Sequence, residues 1–122
     1  MSDLVAAWRD LAGRHAVLSD ALEHELQRRH GLSLSEFEVL TRLADADDGR
    51  RIQELADEVH ISQSALSRLV SRLEESGLTC RNACSDDRRG VYACITAAGV
   101  ERVEQARPTQ DEVLGRLLDE TL

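Results

Sequence analysis

Apolar residues recur along the first thirty positions at steps of three and four, which places them on one stripe of a single long helix. A basic cluster, Arg28 to His30, followed by Gly31 predicts where this helix ends. Such a stripe either packs on its own domain or pairs with another chain, and the two are not exclusive. The stripe consists of Leu4, Trp8, Leu11, His15, Leu18, Leu22 and Leu26.

Two short amphipathic helices follow further along the chain, at residues 52–59 and 63–76. Both show the i, i+3, i+4, i+7 spacing of apolar residues. Only His60 and Ile61 separate them, Ser62 is well placed to cap the second helix, and Gly77 ends it. Helices joined by so tight a turn must cross steeply to share one core, which is the helix-turn-helix arrangement.

Two further helices flank this pair. Ser35 with Glu38 forms a capping box, which predicts a helix that begins after Ser35. Thr96 is a plausible N-cap for a C-terminal helix, which Pro108 either kinks or restarts. The chain therefore contains helices on both sides of the helix-turn-helix.

Residues 78–83 and 91–95 are short β-capable stretches separated by a charged segment, which predicts a β-hairpin. The predicted fold is mainly α with a small β-hairpin wing, that is, a winged helix-turn-helix with terminal dimerisation helices. Residues 31–95 form the expected DNA-binding domain. Residues 1–30 and 96–122 form the expected helical dimerisation region.

Length and composition add few constraints. The 122 residues suffice for one compact domain with a core, and no apolar run reaches the roughly eighteen residues of a membrane span. The first residues lack a basic and then apolar leader, so we expect no secretory signal and a cytoplasmic protein. No cofactor is expected. An enzyme finds little support, because the chain has no nucleophile elbow, phosphate-binding glycine loop or metal-ligand set.

The net charge of −8 argues at first against a nucleic-acid partner, because phosphate contact requires local positive charge. Its distribution changes this picture. Residues 60–90 contain five arginines and four acidic residues, so most of the negative charge lies outside this segment. All fifteen cationic residues are arginine, which suits contacts to phosphate or guanine, although biased genome composition explains this equally and carries more weight.

The second helix of the pair carries the expected DNA contacts. Its inward apolar residues turn Gln63, Ser64, Ser67 and Arg68 toward solvent near its start, where a helix reaches deepest into the major groove. Arg72 lies one turn further, and Ser62 with the free amides can hold a phosphate. The alternative is a plain amphipathic surface helix, and the tight turn and charged hairpin beside it argue against that alternative.

The hairpin tip supplies Arg88 and Arg89, one of which can enter the adjacent minor groove. Asp87 and Arg81 are expected to orient this wing. The alternative for the tip is a solvated charged loop. The alternative for the whole domain is a protein-interaction module whose acidic surface keeps DNA away. Measuring affinity over a series of salt concentrations separates that module from DNA binding.

Residues 34–108 resemble the MarR family of winged-helix regulators in the order and spacing of their motifs. The distance from the Gly-Leu pair to the Asp-Arg-Arg tip is also that of the family. The resemblance is carried by Leu34-Ser35-x-Phe37-x-Val39-Leu40, Leu55-Ala56, Ser67-Arg68-Leu69-Val70-x-Arg72-Leu73-Glu74-x-x-Gly77-Leu78, Arg81, Asp87-Arg88-Arg89 and Ile95-Thr96-x-x-Gly99.

The resemblance implies a homodimer with intertwined terminal helices, bound to a near-palindromic operator on double-stranded DNA. It implies that the wing arginine, here Arg89, reaches the minor groove. It further implies a repressor that a small aromatic or lipophilic effector releases. Trp8, Arg14 and His15 are candidates to line an effector pocket, although packing is their commoner role.

Three cysteines, Cys80, Cys84 and Cys94, lie within fifteen positions, and their odd number favours reduced thiols. A hairpin symmetric about its tip places Cys94 opposite Cys80, within reach of a disulfide. Cys84 lies among arginines, which favour its thiolate. The alternatives are therefore small core-filling cysteines and a redox-responsive regulator. A metal site is not expected, since paired CxxC spacing is absent.

Overall fold

The computed structural model describes residues 2–46, 49–83 and 91–121 of the chain, and the side chains of all these except residues 2, 82, 83, 91 and 119–121. The fold is mainly helical with a small sheet, as predicted. The helices are α1 (Ser2–His30), α2 (Leu34–Ala44), α3 (Ile52–Val59), α4 (Gln63–Glu75) and α5 (Ala97–Thr121). The strands are β1 (Arg50–Arg51), β2 (Thr79–Ala83) and β3 (Val91–Ile95).

The three strands form an antiparallel sheet in the order β1-β3-β2. In the β2–β3 hairpin, Cys80 lies opposite Cys94 and Ala83 opposite Val91, so the predicted register is confirmed. Strand β1 was not predicted. It pairs Arg50 with Ala93 along the other edge of β3.

Contacts divide the chain into two compact units. The terminal-helix unit comprises residues 1–34 and 106–122, and the winged-helix unit comprises residues 35–105. The predicted domain division, at residues 30 and 96, remains a proposal about function. We describe each unit by itself.

In the terminal-helix unit, the second half of α1 packs on the second half of α5. Leu26 and Val113 are almost fully buried there. Arg29 donates to Glu112 at 2.7 Å, and this hydrogen bond holds the pKa of the Glu112 carboxyl below its ordinary value. Pro108 lies inside α5, so the alternative in which it starts a new helix is wrong.

Helix α2 begins at Leu34, one residue before the predicted cap, so the prediction that Ser35 caps this helix is wrong. A residue from outside the segment contacts the first turn of this helix. The Leu34 N–H donates at 2.8 Å to a carboxylate oxygen of Glu23 on α1. A helix leaves its first N–H groups without internal partners, and here a distant carboxylate provides one.

The core of the winged-helix unit is built mainly from the apolar faces of α2, α3 and α4, and β3 and α5 add residues to it. Burying these side chains supplies the main driving force for the fold, at roughly 25 cal/mol per Å² of apolar surface. The residues that are most fully buried are Phe37, Val39, Leu40, Leu43, Leu55, Leu66, Val70, Leu73, Ala93 and Val103.

The turn between α3 and α4 is as tight as predicted. His60 takes a left-handed backbone conformation with φ of 61°, and its N–H still donates to Ala56. Ser62 then caps α4, because its hydroxyl accepts the Ala65 N–H at 3.1 Å. The prediction of Ser62 as the N-cap is therefore confirmed.

Helix α4 ends in a Schellman motif around Gly77, which has a φ of 79°. The Gly77 N–H donates to Glu74 and the Leu78 N–H donates to Leu73, both at 2.9 Å. A left-handed conformation at this position favours glycine, since a Cβ would be strained there. Gly77 thus turns the chain from α4 directly into β2, as predicted.

Candidate nucleic-acid interface

Helix α4 has one apolar and one polar face. Leu66 and Val70 are fully buried on its inner face. Gln63, Ser64 and Arg68 are exposed on the other side, as is Arg72 one turn beyond Arg68. A helix with its side chains is about 10–12 Å across, which fits the roughly 12 Å width of a major groove.

The start of α4 is open toward solvent. Ser62, Gln63 and Ser64 are all exposed, and the Ser62 hydroxyl lies 3.3 Å from that of Ser64. The first N–H groups of a helix lack internal acceptors and carry the positive end of its dipole. This end of α4 can therefore accept a phosphate oxygen.

Two serines on the flank of α4 have a different environment. Ser67, one of the predicted base contacts, and Ser71 are both half-buried. The Arg81 side chain on β2 reaches them: its Nη2 donates at 2.7 Å to the Ser71 hydroxyl and lies 3.3 Å from the Ser67 hydroxyl. Arg81 was expected to orient the wing, and here it contacts α4.

Strands β2 and β3 form the base of the wing beside α4. Thr79, at the start of β2, is buried and donates at 3.2 Å to the Val70 carbonyl. The segment 84–90 at the tip lies outside the described residues. Four predicted site residues fall there, namely Cys84, Asp87, Arg88 and Arg89.

The wing strands are joined by a disulfide between Cys80 and Cys94, whose Cα atoms are 5.1 Å apart. The expectation of three reduced thiols is therefore wrong for this pair. The register argument favoured the bond, because antiparallel strands bring directly opposed residues to such distances. The number of cysteines alone does not show which of them lie opposite each other.

The unpredicted strand β1 adds an arginine contact at the sheet edge. Arg51 stacks over the Tyr92 ring at 5.8 Å from its centroid and donates to the Tyr92 hydroxyl at 3.3 Å. Arg50, beside it, forms ion pairs with Glu58 and Glu54 of α3. The sequence signal for β1 was weak, because two residues show no strand periodicity.

In the described part of the chain, no group of three or more His, Cys, Asp or Glu side chains is arranged to hold a metal ion. Within those same residues, no helix combines the length and the apolar character that crossing a bilayer requires.

Comparisons with known proteins agree with this geometry. The model of the MarR family matches residues 32–91. The crystal structure of AbsC, a MarR family transcriptional regulator from Streptomyces coelicolor, is 30% identical with a TM-score of 0.89, and the match covers all of this chain and 82% of that one. Sco3205, a MarR family regulator from the same organism solved in complex with DNA, is 29% identical with a TM-score of 0.91, and the match covers all of this chain and 77% of that one.

A curated relative is the HTH-type transcriptional regulator MhqR of Bacillus subtilis (strain 168). It is 30% identical over 96 residues, which is 75% of this chain and 66% of MhqR. The chain spans between 53% and 68% of the length of MhqR and three further curated relatives.

Proposed function

The chain belongs to the MarR family, and from this membership and the exposed face of α4 we propose that it is a sequence-specific DNA-binding transcriptional regulator. The observation that carries the proposal is the contrast between the two sides of α4. Leu66 and Val70 are sealed in the core, while Gln63, Ser64 and Arg68 face solvent. The proposal assigns binding and no catalytic step, and it places the protein in the cytoplasm.

In the proposed complex, α4 lies in the major groove of double-stranded DNA. Arg68 can form two hydrogen bonds to the O6 and N7 atoms of guanine, and Gln63 can form two to adenine. Ser64 is small and allows the helix to approach closely. Ser62 with the free N–H groups at the helix start, and Arg72 further along, would hold the phosphate backbone.

The wing would add a second contact in the adjacent minor groove, made by Arg88 or Arg89 with Asp87 orienting the arginine. Narrow minor grooves concentrate negative potential and attract arginine. Segment 60–90 bears five arginines and four acidic residues, whereas the whole chain has a net charge of −8. The proposed DNA-facing segment therefore has a net charge of +1, and the remaining residues together have −9.

The proposal includes a homodimer on a near-palindromic operator. The first half of α1 supports it, because Leu4, Trp8 and Leu11 are 63–74% exposed there. An apolar stripe with this much solvent exposure is typical of an interface between chains. Family membership extends the proposal to a repressor released by a small aromatic or lipophilic effector.

Replacing Arg68 with alanine is expected to weaken operator binding by roughly tenfold to a hundredfold, because one bidentate base contact is worth about 1–3 kcal/mol. Base preference should relax at the position Arg68 contacts. The measurement is a mobility shift with the promoter DNA upstream of the protein's own gene. Arg42→Ala, which removes the same charge from an exposed site on α2 outside the proposed DNA contacts and the dimerisation region, is the matched control and should bind normally.

A salt series separates this proposal from a protein-interaction module. Wild-type DNA binding should fall steeply as salt rises, in proportion to the number of phosphates that the protein neutralises. A partner held by apolar surface would show little dependence. Arg68→Ala binding equal to that of the wild type, together with a flat salt series, would count decisively against the DNA-binding proposal.

The Cys80–Cys94 disulfide supports a second candidate, a redox-responsive regulator. Forming this bond removes two protons and two electrons from the two thiols. Hydrogen peroxide can accept both and become two water molecules. The bond fixes the separation of the wing strands, and we expect the fixed wing to adapt less well to the groove. Cys84 is the further candidate thiol.

Oxidised protein is therefore expected to bind the promoter DNA more weakly than reduced protein, by roughly tenfold, which corresponds to about 1.4 kcal/mol. The measurement compares affinity after peroxide with affinity after a thiol reductant. Cys94→Ser should abolish the difference in affinity between oxidised and reduced protein. Cys84→Ser should preserve this difference if only the Cys80–Cys94 disulfide acts. Equal affinities of the two wild-type forms would remove the redox candidate.

A further inference from the structure

Arg81 joins the wing to the helix that is proposed to read DNA. Its Nη2 atom donates at 2.6 Å to the main-chain carbonyl of Ser67 and at 2.7 Å to the hydroxyl of Ser71. The same atom lies 3.3 Å from the Ser67 hydroxyl. The side chain is 27% exposed, so these hydrogen bonds are partly shielded from water.

The three groups form a closed set. The Ser71 hydroxyl accepts from Arg81 and itself donates at 3.0 Å to the Ser67 carbonyl. Its hydrogen-bonding capacity is thus directed inward. We call Arg81, Ser67 and Ser71 the wing strut.

A neighbouring contact shows that the strut is part of a regular arrangement. Thr79 and Arg81 are two residues apart on β2, so they project from the same face. Thr79 donates to the Val70 carbonyl and Arg81 to the Ser67 carbonyl, three residues apart on α4. Two bonds at separate points fix both the distance and the rotation of the helix relative to the strand.

We propose that Arg81 is a positioning residue for operator recognition, which sets the rotation of α4 against the wing without itself contacting DNA. This inference rests on the proposed function. In it, Ser67 belongs to the wing strut and base contact falls to Gln63, Ser64 and Arg68. Helix and wing must enter neighbouring grooves together, so an error in their relative rotation weakens both contacts.

Arginine suits this role better than lysine. Its planar guanidinium presents several donors in fixed directions, whereas a lysine ammonium is a compact charge on a flexible stem. Glu74 lies 3.9 Å from the Arg81 Nε and adds an ion-pair contact from the same helix. Arg81→Lys therefore keeps the charge and loses the geometry.

The test uses two DNA probes, namely the duplex that wild-type protein enriches from a randomised library and the repeating copolymer poly(dI-dC). Arg81→Met is expected to bind the enriched duplex roughly tenfold more weakly, as losing a charge-assisted hydrogen bond predicts. Binding to poly(dI-dC) should change little. The dependence of affinity on salt should keep its wild-type slope, because no phosphate contact is lost.

Arg81→Lys should restore little of the specific affinity, and the charge-matched control Arg42→Met, at an exposed site on α2, should bind like the wild type. A double-mutant cycle adds a readout that lost stability does not produce. Ser71→Ala should weaken binding alone and have little further effect in the Arg81→Met background, because both remove the same strut.

Several results would overturn the inference. One is an Arg81→Met protein that prefers the enriched duplex over poly(dI-dC) as strongly as the wild type does. Others are additive losses of affinity in the double-mutant cycle and full recovery of affinity in Arg81→Lys. An equal loss of affinity on both probes with a reduced salt slope would make Arg81 a phosphate contact. If Arg81→Met does not fold, the double variant Ser67→Ala/Ser71→Ala takes its place. We expect it to lose less of the preference for the enriched duplex over poly(dI-dC). If wild-type protein enriches no duplex, the DNA-binding proposal itself fails, which is a separate result.

Discussion

Replacing Leu11 with aspartate is expected to separate the proposed homodimer into monomers and to lower affinity for the proposed operator by about a hundredfold, because linking two binding sites commonly adds that much. Leu4, Trp8 and Leu11 lie on one stripe of α1 and are 74%, 66% and 63% exposed. Further along the same stripe, Leu22 and Leu26 are buried within their own chain. The stripe therefore continues beyond the surface that this chain can cover.

Physical estimates support a large effect. Burying each large apolar side chain contributes roughly 1.5–3 kcal/mol, and a second copy would bury several on both subunits. Burying an unpaired carboxylate in this surface costs several times the free energy that burial of the leucine side chain contributes. In the proposed complex the dimer joins two half-site contacts, so its loss would remove the second contact at each operator.

The measurements are mass by light scattering after size exclusion and affinity for the promoter DNA. Ala6→Asp is the matched control, since Ala6 is exposed on the opposite side of the same helix and the substitution adds the same charge. A dimeric Leu11→Asp protein would place the interface elsewhere. A monomeric one with unchanged affinity would show that DNA binding does not require the dimer.

The features that sequence patterns predicted well are those set by local chemistry. The amphipathic spacing of α3 and α4, the Ser62 cap and the Gly77 turn depend on residues within a few positions of each other. The hairpin register followed in the same way from symmetry about a short tip. Cys80 opposite Cys94 was thus predictable, although their bond was judged less favoured than free thiols.

The features that were missed depend on contacts between distant segments. Strand β1 has only two residues, and it exists because β3 offers an edge at Ala93 and Tyr92. Helix α2 begins at Leu34, two residues before the predicted start at Glu36, and the Leu34 N–H donates to Glu23, eleven positions away. No local pattern contains either partner.

The candidate site shows the same division. The helical rotation of 100° per residue placed Gln63, Ser64 and Arg68 outside correctly. It also placed Ser67 among them, because rotation alone does not show which neighbour lies on the helix flank. The Arg81 side chain comes from β2, fourteen positions further along the chain. Only the packing of the strand against the helix reveals that contact.

Replacing Gly99 with alanine is expected to destabilise the protein by about 3 kcal/mol, the upper part of the usual range for overpacking. A Cβ at Gly99 would overlap the carbonyl oxygen of Leu78 and lie 2.6 Å from Cγ1 of Ile95. The obstacle is backbone rather than a flexible side chain. That carbonyl also accepts the Thr96 N–H at 3.1 Å, so it is held in place.

The matched control is Gly115→Ala in the same helix. A Cβ at Gly115 would meet nothing within 4 Å, and α5 is helical at both positions. Alanine favours helix over glycine by about 1 kcal/mol, so Gly115→Ala should be neutral or stabilising. The two variants thus separate steric overlap from helix propensity, which would stabilise both. Denaturant unfolding at one fixed protein concentration measures the difference.

Overlap at Gly99 should also reach the DNA-binding surface, because the same contact joins α4 to α5. The Thr96 hydroxyl donates at 2.7 Å to the carbonyl of Gly77, two residues beyond the end of α4, and accepts the Gly99 N–H at 3.1 Å. Moving Gly99 away from Leu78 loosens this link at the base of the wing. We expect Gly99→Ala to weaken promoter binding even at temperatures where it remains folded. Wild-type stability in Gly99→Ala would show that the α5 start can shift freely, and the link to α4 would lose its role.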